Sequence, residues 1–278
     1  MTGYADDSTV YVWNKNVNLL KTDLEMLSSR MISFCRSVGL ILNNNKTQLL
    51  VSPKQVCQIK MGSSVISASS EINLLGIDFD ANFTTTPYLQ KLACAANTRA
   101  ALIHRLSFSM PPHLLTTFAN GLLLGKILAA CPLTIPVRLN INDRYGITVT
   151  EEINKAIKAA ARTITKTKIS DKICSEDILR RANLKCLNES VASIMAITVW
   201  KAKQTMNPLG RILFQSKTSQ KCTRSETSNE IRPLVPGYSN LASNIMVRVW
   251  NSIPELKNAS TLGSAKSISR KWARGIPR

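Results

Sequence analysis

A chain of 278 residues is long enough for a buried core and two packed units, and a hydrophobic content of 44% excludes a wholly disordered protein. Aromatic residues make up only 5%, so Leu, Ile, Val and Ala must carry the core. A net charge of +19 and a pI near 9.9 suit a polyanionic partner, the alternative being a basic surface kept for solubility. The charge is uneven: residues 1–150 hold 13 Lys and Arg against 8 Asp and Glu, and residues 151–278 hold 23 against 9. No stretch sets Lys and Arg opposite a strong apolar face, so binding to a membrane surface is not expected.

The seven cysteines are scattered and odd in number, and none forms a C-x-x-C pair. Without a signal peptide this reads as reduced thiols in an intracellular protein, nuclear or cytoplasmic and not secreted. His104 and His113 have no cysteine pair at ligand spacing, so no structural zinc is expected. Leu114 to Val137 is the most apolar segment. It contains Asn120, Lys126, two Gly and two Pro, which points to a buried core helix ending near Cys131-Pro132 and away from a membrane span.

In chain order, Val10, Tyr11, Val12 and Trp13 alternate as a half-buried strand. Val17, Leu20, Leu24, Leu27, Met31, Phe34 and Val38 recur at helical steps, with Asn16 as N-cap and Gly39 as the stop. Short strands are expected at Leu40–Leu42, Gln48–Val51, Ile59–Met61 and Ile72–Ile77, forming a sheet with the helix on one face. From Thr86-Pro87 the pattern turns helical, with a second helix opening at Pro111-Pro112. Thr150 is expected to cap a third helix that carries Lys155, Lys158 and Arg162 outward. Further helices are expected from Ser175, over Asn188–Gln204 and Leu241–Asn251, and in a short basic piece at Ser260–Ala273. The fold class is α+β, divided as residues 1–85, a helical region at 86–206, a loop or linker at 207–238 and a C-terminal helical segment at 239–278.

Tyr4-Ala5-Asp6-Asp7, a helix, Gly39-Leu40-Ile41-Leu42-Asn43, Lys46-Thr47 and Leu74-Leu75-Gly76-Ile77-Asp78 form an ordered series. In that order and spacing they resemble the back half of the palm of a non-LTR (LINE-type) retrotransposon reverse transcriptase. The Asp pair alone reads as a solvated turn; the whole series is what carries the resemblance.

The resemblance implies an RNA-directed DNA polymerase, a nucleotidyltransferase acting on an RNA template and a DNA primer, with Mg²⁺ or Mn²⁺ in the intact parent. Such chemistry uses two divalent ions held by carboxylates. Asp6 would be a metal ligand with Asp7 beside it, and Tyr4 and Ala5 would line the approach of primer end and nucleotide. Lys46 would be a general acid for the leaving pyrophosphate, or else an exposed loop lysine. Gly76 would let backbone approach the primer strand. Residues after Thr86 would be the thumb, with Lys155, Lys158, Arg162, Lys166 and Lys168 on phosphates.

Family members carry fingers and another metal-binding Asp before this point. With Met1 just ahead of Tyr4, those parts and the first strand of the hairpin are expected to be missing. The expected protein is therefore a truncated C-terminal portion, inactive alone and holding no ion tightly. The alternative is a non-catalytic, basic nucleic-acid-binding remnant or a pseudogene product.

Overall fold

The computed structural model describes residues 2–4, 7–53, 55–140, 143, 147–214 and 242–276. Helix accounts for 61% and strand for 10%, an α+β fold. The chain separates into two compact units, Met1–Tyr88 and Leu89–Arg278.

The first unit opens with a hairpin of β1 (Thr2–Tyr4) and β2 (Asp7–Thr9), paired Thr2 to Thr9, Gly3 to Ser8 and Tyr4 to Asp7. The expectation that the hairpin lacks its first strand is therefore corrected: both strands are present, three residues each. The strand expected over Val10–Trp13 does not form a ladder. Its alternation survives, but with Tyr11 and Trp13 turned outward.

Helix α1 (Val17–Ser37) starts where expected, because the Asn16 side chain accepts from the Asn18 N–H at 2.9 Å. It stops at Gly39, whose φ of +76° ends the helix in the left-handed region. Leu40–Leu42 is not a strand; Leu42 packs on the core without joining a ladder.

A three-stranded sheet follows in the order β3 (Leu49–Leu50), β5 (Ser64–Ser69), β4 (Gln58–Met61), with β3 parallel and β4 antiparallel to β5. Gly62, at φ +61°, makes the two-residue turn between β4 and β5. Strand β5 was not anticipated, since its serines mask the inward Ile66. Ile59 and Met61 on β4 join Leu49, Val51, Cys57 and Ile66 in a small core, against which Leu20, Leu24 and Ile32 of α1 pack. A second hairpin pairs β6 (Glu71–Leu74) with β7 (Ile77–Asp80).

After β7 the chain turns sharply. The Asp80 carboxylate accepts from the N–H groups of Asn82 and Thr84 and from the Thr84 hydroxyl. Burial acts to raise its pKa, but these bonds together outweigh it, so the carboxyl titrates below its ordinary value.

Helix α2 (Thr86–Leu106), with Pro87 in its first turn, leads into the second unit. There α3 (Pro112–Phe118) continues through a π-helical stretch (Ala119–Leu124) into α4 (Gly125–Leu128), and α5 (Cys131–Thr134) follows. Among the described residues no helix is long and apolar enough to cross a membrane.

Helix α6 (Ile147–Thr165) begins a turn before the expected cap, so Thr150 is corrected to an interior position. At 7% exposure it lies on the inner face with Ile153 and Ile157, three and seven residues on. Then come α7 (Ser175–Arg181) and α8 (Leu187–Thr205), the centre of the unit. Val191, Ala192, Met195, Ala196 and Val199 of α8 are fully buried.

The range read as a linker starts with a helix, α9 (Pro208–Phe214), docked on α8. The rest of that range, 215–238, lies outside the described residues. The chain returns as α10 (Ala242–Asn251), α11 (Pro254–Lys257) and α12 (Leu262–Ala273), with α10 and α12 both packed on α8. Small residues Ala265, Ser269 and Ala273 let α12 approach closely, and the Trp200 indole N–H donates to the Ala259 carbonyl at 3.0 Å.

Candidate nucleic-acid interface

Tyr4 and Asp7 are paired residues at the end of the β1–β2 hairpin. Asp7 is exposed. Ala5 and Asp6 lie outside the described residues, as does the Tyr4 side chain.

Two metal ions need several carboxylates converging from more than one element. Of the Asp pair only Asp7 is among the described residues, and no group of three or more His, Cys, Asp or Glu among those residues could hold an ion.

Lys46 ends a 3₁₀ turn (Asn44–Lys46) that the Asn43 side chain caps by accepting from the N–H groups of Asn45 and Lys46. The Asn44 amide donates to the Ser64 hydroxyl at 2.9 Å, which ties the turn to β5 and leaves Lys46 exposed. Gly76 occupies the β6–β7 turn at φ +82° beside Leu75 at φ +50°, the two positive values a type I′ turn requires. Asn73 holds this turn, accepting from the Gly76 N–H and donating to the Asp78 carboxylate. Space beside the Gly76 Cα is open, so the glycine is there for its φ. The β1–β2 hairpin, the three-stranded sheet that follows the Lys46 turn and the β6–β7 hairpin are three separate strand groups, with no hydrogen-bonded ladder between them among the described residues.

In the second unit, Lys155, Lys158 and Arg162 lie at steps of three and four on α6, a stripe of about 10 Å at 1.5 Å per residue. Lys155 is exposed, and Lys158 and Arg162 are half-buried. Lys166 follows at φ +53°, and Lys168 precedes the next 3₁₀ turn, its N–H donating to Asp171 Oδ2 at 2.7 Å. None of these five side chains pairs with a carboxylate among the described residues. The cations of Arg180, Arg248 and Arg274 do, with Asp177, Asp143 and Glu189. The Arg162 Nε is buried without a hydrogen-bond partner.

Sequence reading missed how far this basic surface extends. Helix α7 packs on α6 and carries Arg180 and Arg181, with Lys172 exposed in the connection. From 155 to 185 nine Lys and Arg stand against three Asp and Glu, a signal present in the chain but diluted when whole halves are compared.

Comparison with protein-family models, curated proteins and solved structures finds no match to this chain.

Proposed function

We propose that this chain binds nucleic acid through the phosphate backbone, as the palm and thumb portion of a LINE-type RNA-directed DNA polymerase that does not extend a primer by itself. The observation that carries the binding is the uncompensated stripe of Lys155, Lys158 and Arg162, prolonged by Lys166 and Lys168. Cations without carboxylate partners keep their full field for an external anion, and phosphate contacts of this kind hold a strand without reading its sequence. The polymerase part rests on the ordered motifs of the first unit and on the hairpin pairing of Tyr4 with Asp7.

Titration of a labelled RNA–DNA hybrid at several salt concentrations tests the reading. Log affinity is expected to fall linearly with log salt, and the slope to become shallower by up to about 4 when all five side chains are replaced by Gln. Salt-insensitive binding, or an unchanged slope in that variant, overturns it. A primer-extension assay with Mg²⁺ or Mn²⁺ checks the catalytic part. No product is expected, and extension that vanishes in Asp6→Ala refutes inactivity.

A further inference from the structure

Between β2 and α1 the chain leaves Val10 and Val12 half-buried and turns Tyr11 and Trp13 outward, 73% and 81% exposed. A single apolar side chain in water is ordinary on a protein surface. Two aromatic rings on successive outward positions are not, because each leaves a broad flat face unpacked. Among the described residues neither meets another ring or takes part in a hydrogen bond. The other three tryptophans, Trp200, Trp250 and Trp272, are buried or half-buried.

Alternate side chains of an extended segment stand about 6.6 Å apart. A flat ring held between two others needs two stacking steps of about 3.4 Å each, nearly the same distance. Tyr11 and Trp13 can therefore flank one base, or carry one each on their outer faces. The charge around them suits a phosphate. From Ser8 to Thr22 the chain contains Lys15 and Lys21 and no Asp or Glu. Lys21 is held by Glu25 at 3.9 Å, whereas Lys15 is exposed and pairs with no carboxylate among the described residues. The nearest acidic residue along the chain, Asp7, begins β2 four positions before Tyr11, about 13 Å at an extended rise. Asn14, Lys15 and Asn16 flank the rings with polar groups, where an apolar protein partner would need a continuing apolar face.

We infer that Tyr11 and Trp13 form a stacking platform for unpaired bases of single-stranded nucleic acid, with Lys15 on the phosphate. Bases in a duplex already stack on both faces, so only a single strand can offer one. The platform belongs to the first unit and the α6 stripe to the second. The inference deepens the nucleic-acid-binding reading and rests on it.

Tryptophan fluorescence of the full chain, titrated with a strand of about sixteen nucleotides and with the same strand in duplex, tests it. Saturable quenching by the single strand and none by the duplex is expected. Trp13→Ala is expected to abolish the quenching and, with a labelled strand, to weaken single-strand binding about tenfold, as is Tyr11→Ala. Trp13→Phe, which keeps a ring, is expected to retain most of the affinity. Circular dichroism shows whether each variant folds, and the strand and duplex titrations of the unaltered chain decide the matter if one does not. Equal quenching by strand and duplex, no saturable quenching, single-strand affinity unchanged in folded Trp13→Ala, or Trp13→Phe as weak as Trp13→Ala overturns the inference. The Gln variant of the five lysine and arginine residues on and after α6 is expected to keep the quenching, and Trp13→Ala to keep the salt slope on the hybrid. Loss of the platform therefore leaves the backbone-binding surface standing, and the reverse.

Discussion

The backbone N–H of Lys60 donates to Oε1 of Glu25 at 2.9 Å, and the Lys60 carbonyl accepts from the Ser28 hydroxyl at 3.3 Å. Lys60 lies on β4, the outer strand of its sheet, so two side chains of α1 occupy backbone groups that would otherwise pair with another chain. Glu25→Ala is expected to cost the first unit about 1 kcal/mol, the low end for a charged acceptor because Glu25 is partly exposed. It should also promote self-association. Glu25→Gln, which keeps an acceptor, should restore most of both. Urea melts and sedimentation measure the two effects, and a monomeric Glu25→Ala of unchanged stability would dispose of this role.

Asp143 holds the connection between α5 and α6 onto α10. Its Oδ2 accepts from the N–H groups of Leu139 and Asn140, and Arg248 spans both oxygens at 2.9 and 3.1 Å. Burial acts to raise the Asp143 pKa, but the backbone bonds and the Arg248 guanidinium outweigh it, so the carboxyl titrates below its ordinary value. A depressed folded pKa stabilises above the unfolded value near 4, and the contribution disappears as pH falls through the folded value. Asp143→Asn is expected to cost about 2 kcal/mol at pH 7 and progressively less below pH 4. Denaturant melts across that range decide it; a pH-independent difference would exclude the linkage.

Gly210 carries α9 against α8 so closely that a Cβ there would collide with the Ala202 carbonyl oxygen. The obstacle is backbone, which cannot rotate away. Gly210→Ala is expected to undock α9, separating Phe214 from Trp250, whose rings now meet edge-on at 5.0 Å. A loss of about 3 kcal/mol and a changed near-ultraviolet circular dichroism are expected. An unaltered spectrum and melt would show that the contact gives way cheaply.

Cys131 is fully buried, and burial pushes its thiol up to about 12, whereas Cys94 and Cys174 are exposed. Thiolate is the reactive form, so Cys131 should resist a maleimide at pH 7.5 until the protein unfolds, while Cys94 and Cys174 react within minutes. Peptide mapping by mass spectrometry reads this directly. Labelling of Cys131 at the rate of the other two would mean that α5 opens in the native state.

Local patterns were legible where one element's own residues decide the outcome. Asn16 and Gly39 bracket α1 because a cap needs a side-chain acceptor and a stop needs a positive φ, both properties of single residues. The helical stripe of α6 is visible for the same reason, and so is the basic run after Lys155. Strand β5 was not legible, because a serine-rich segment becomes a strand only when β3 and β4 supply its hydrogen bonds on both sides. Nor was α9, whose place depends on the absence of a side chain at Gly210 facing another helix. Glu189 reads in the chain as a charge in the first turn of α8. Its burial and its pairing with Arg274, which follows α12, arise only when α12 packs on α8, because burial is a property of surroundings that residues far apart in sequence create.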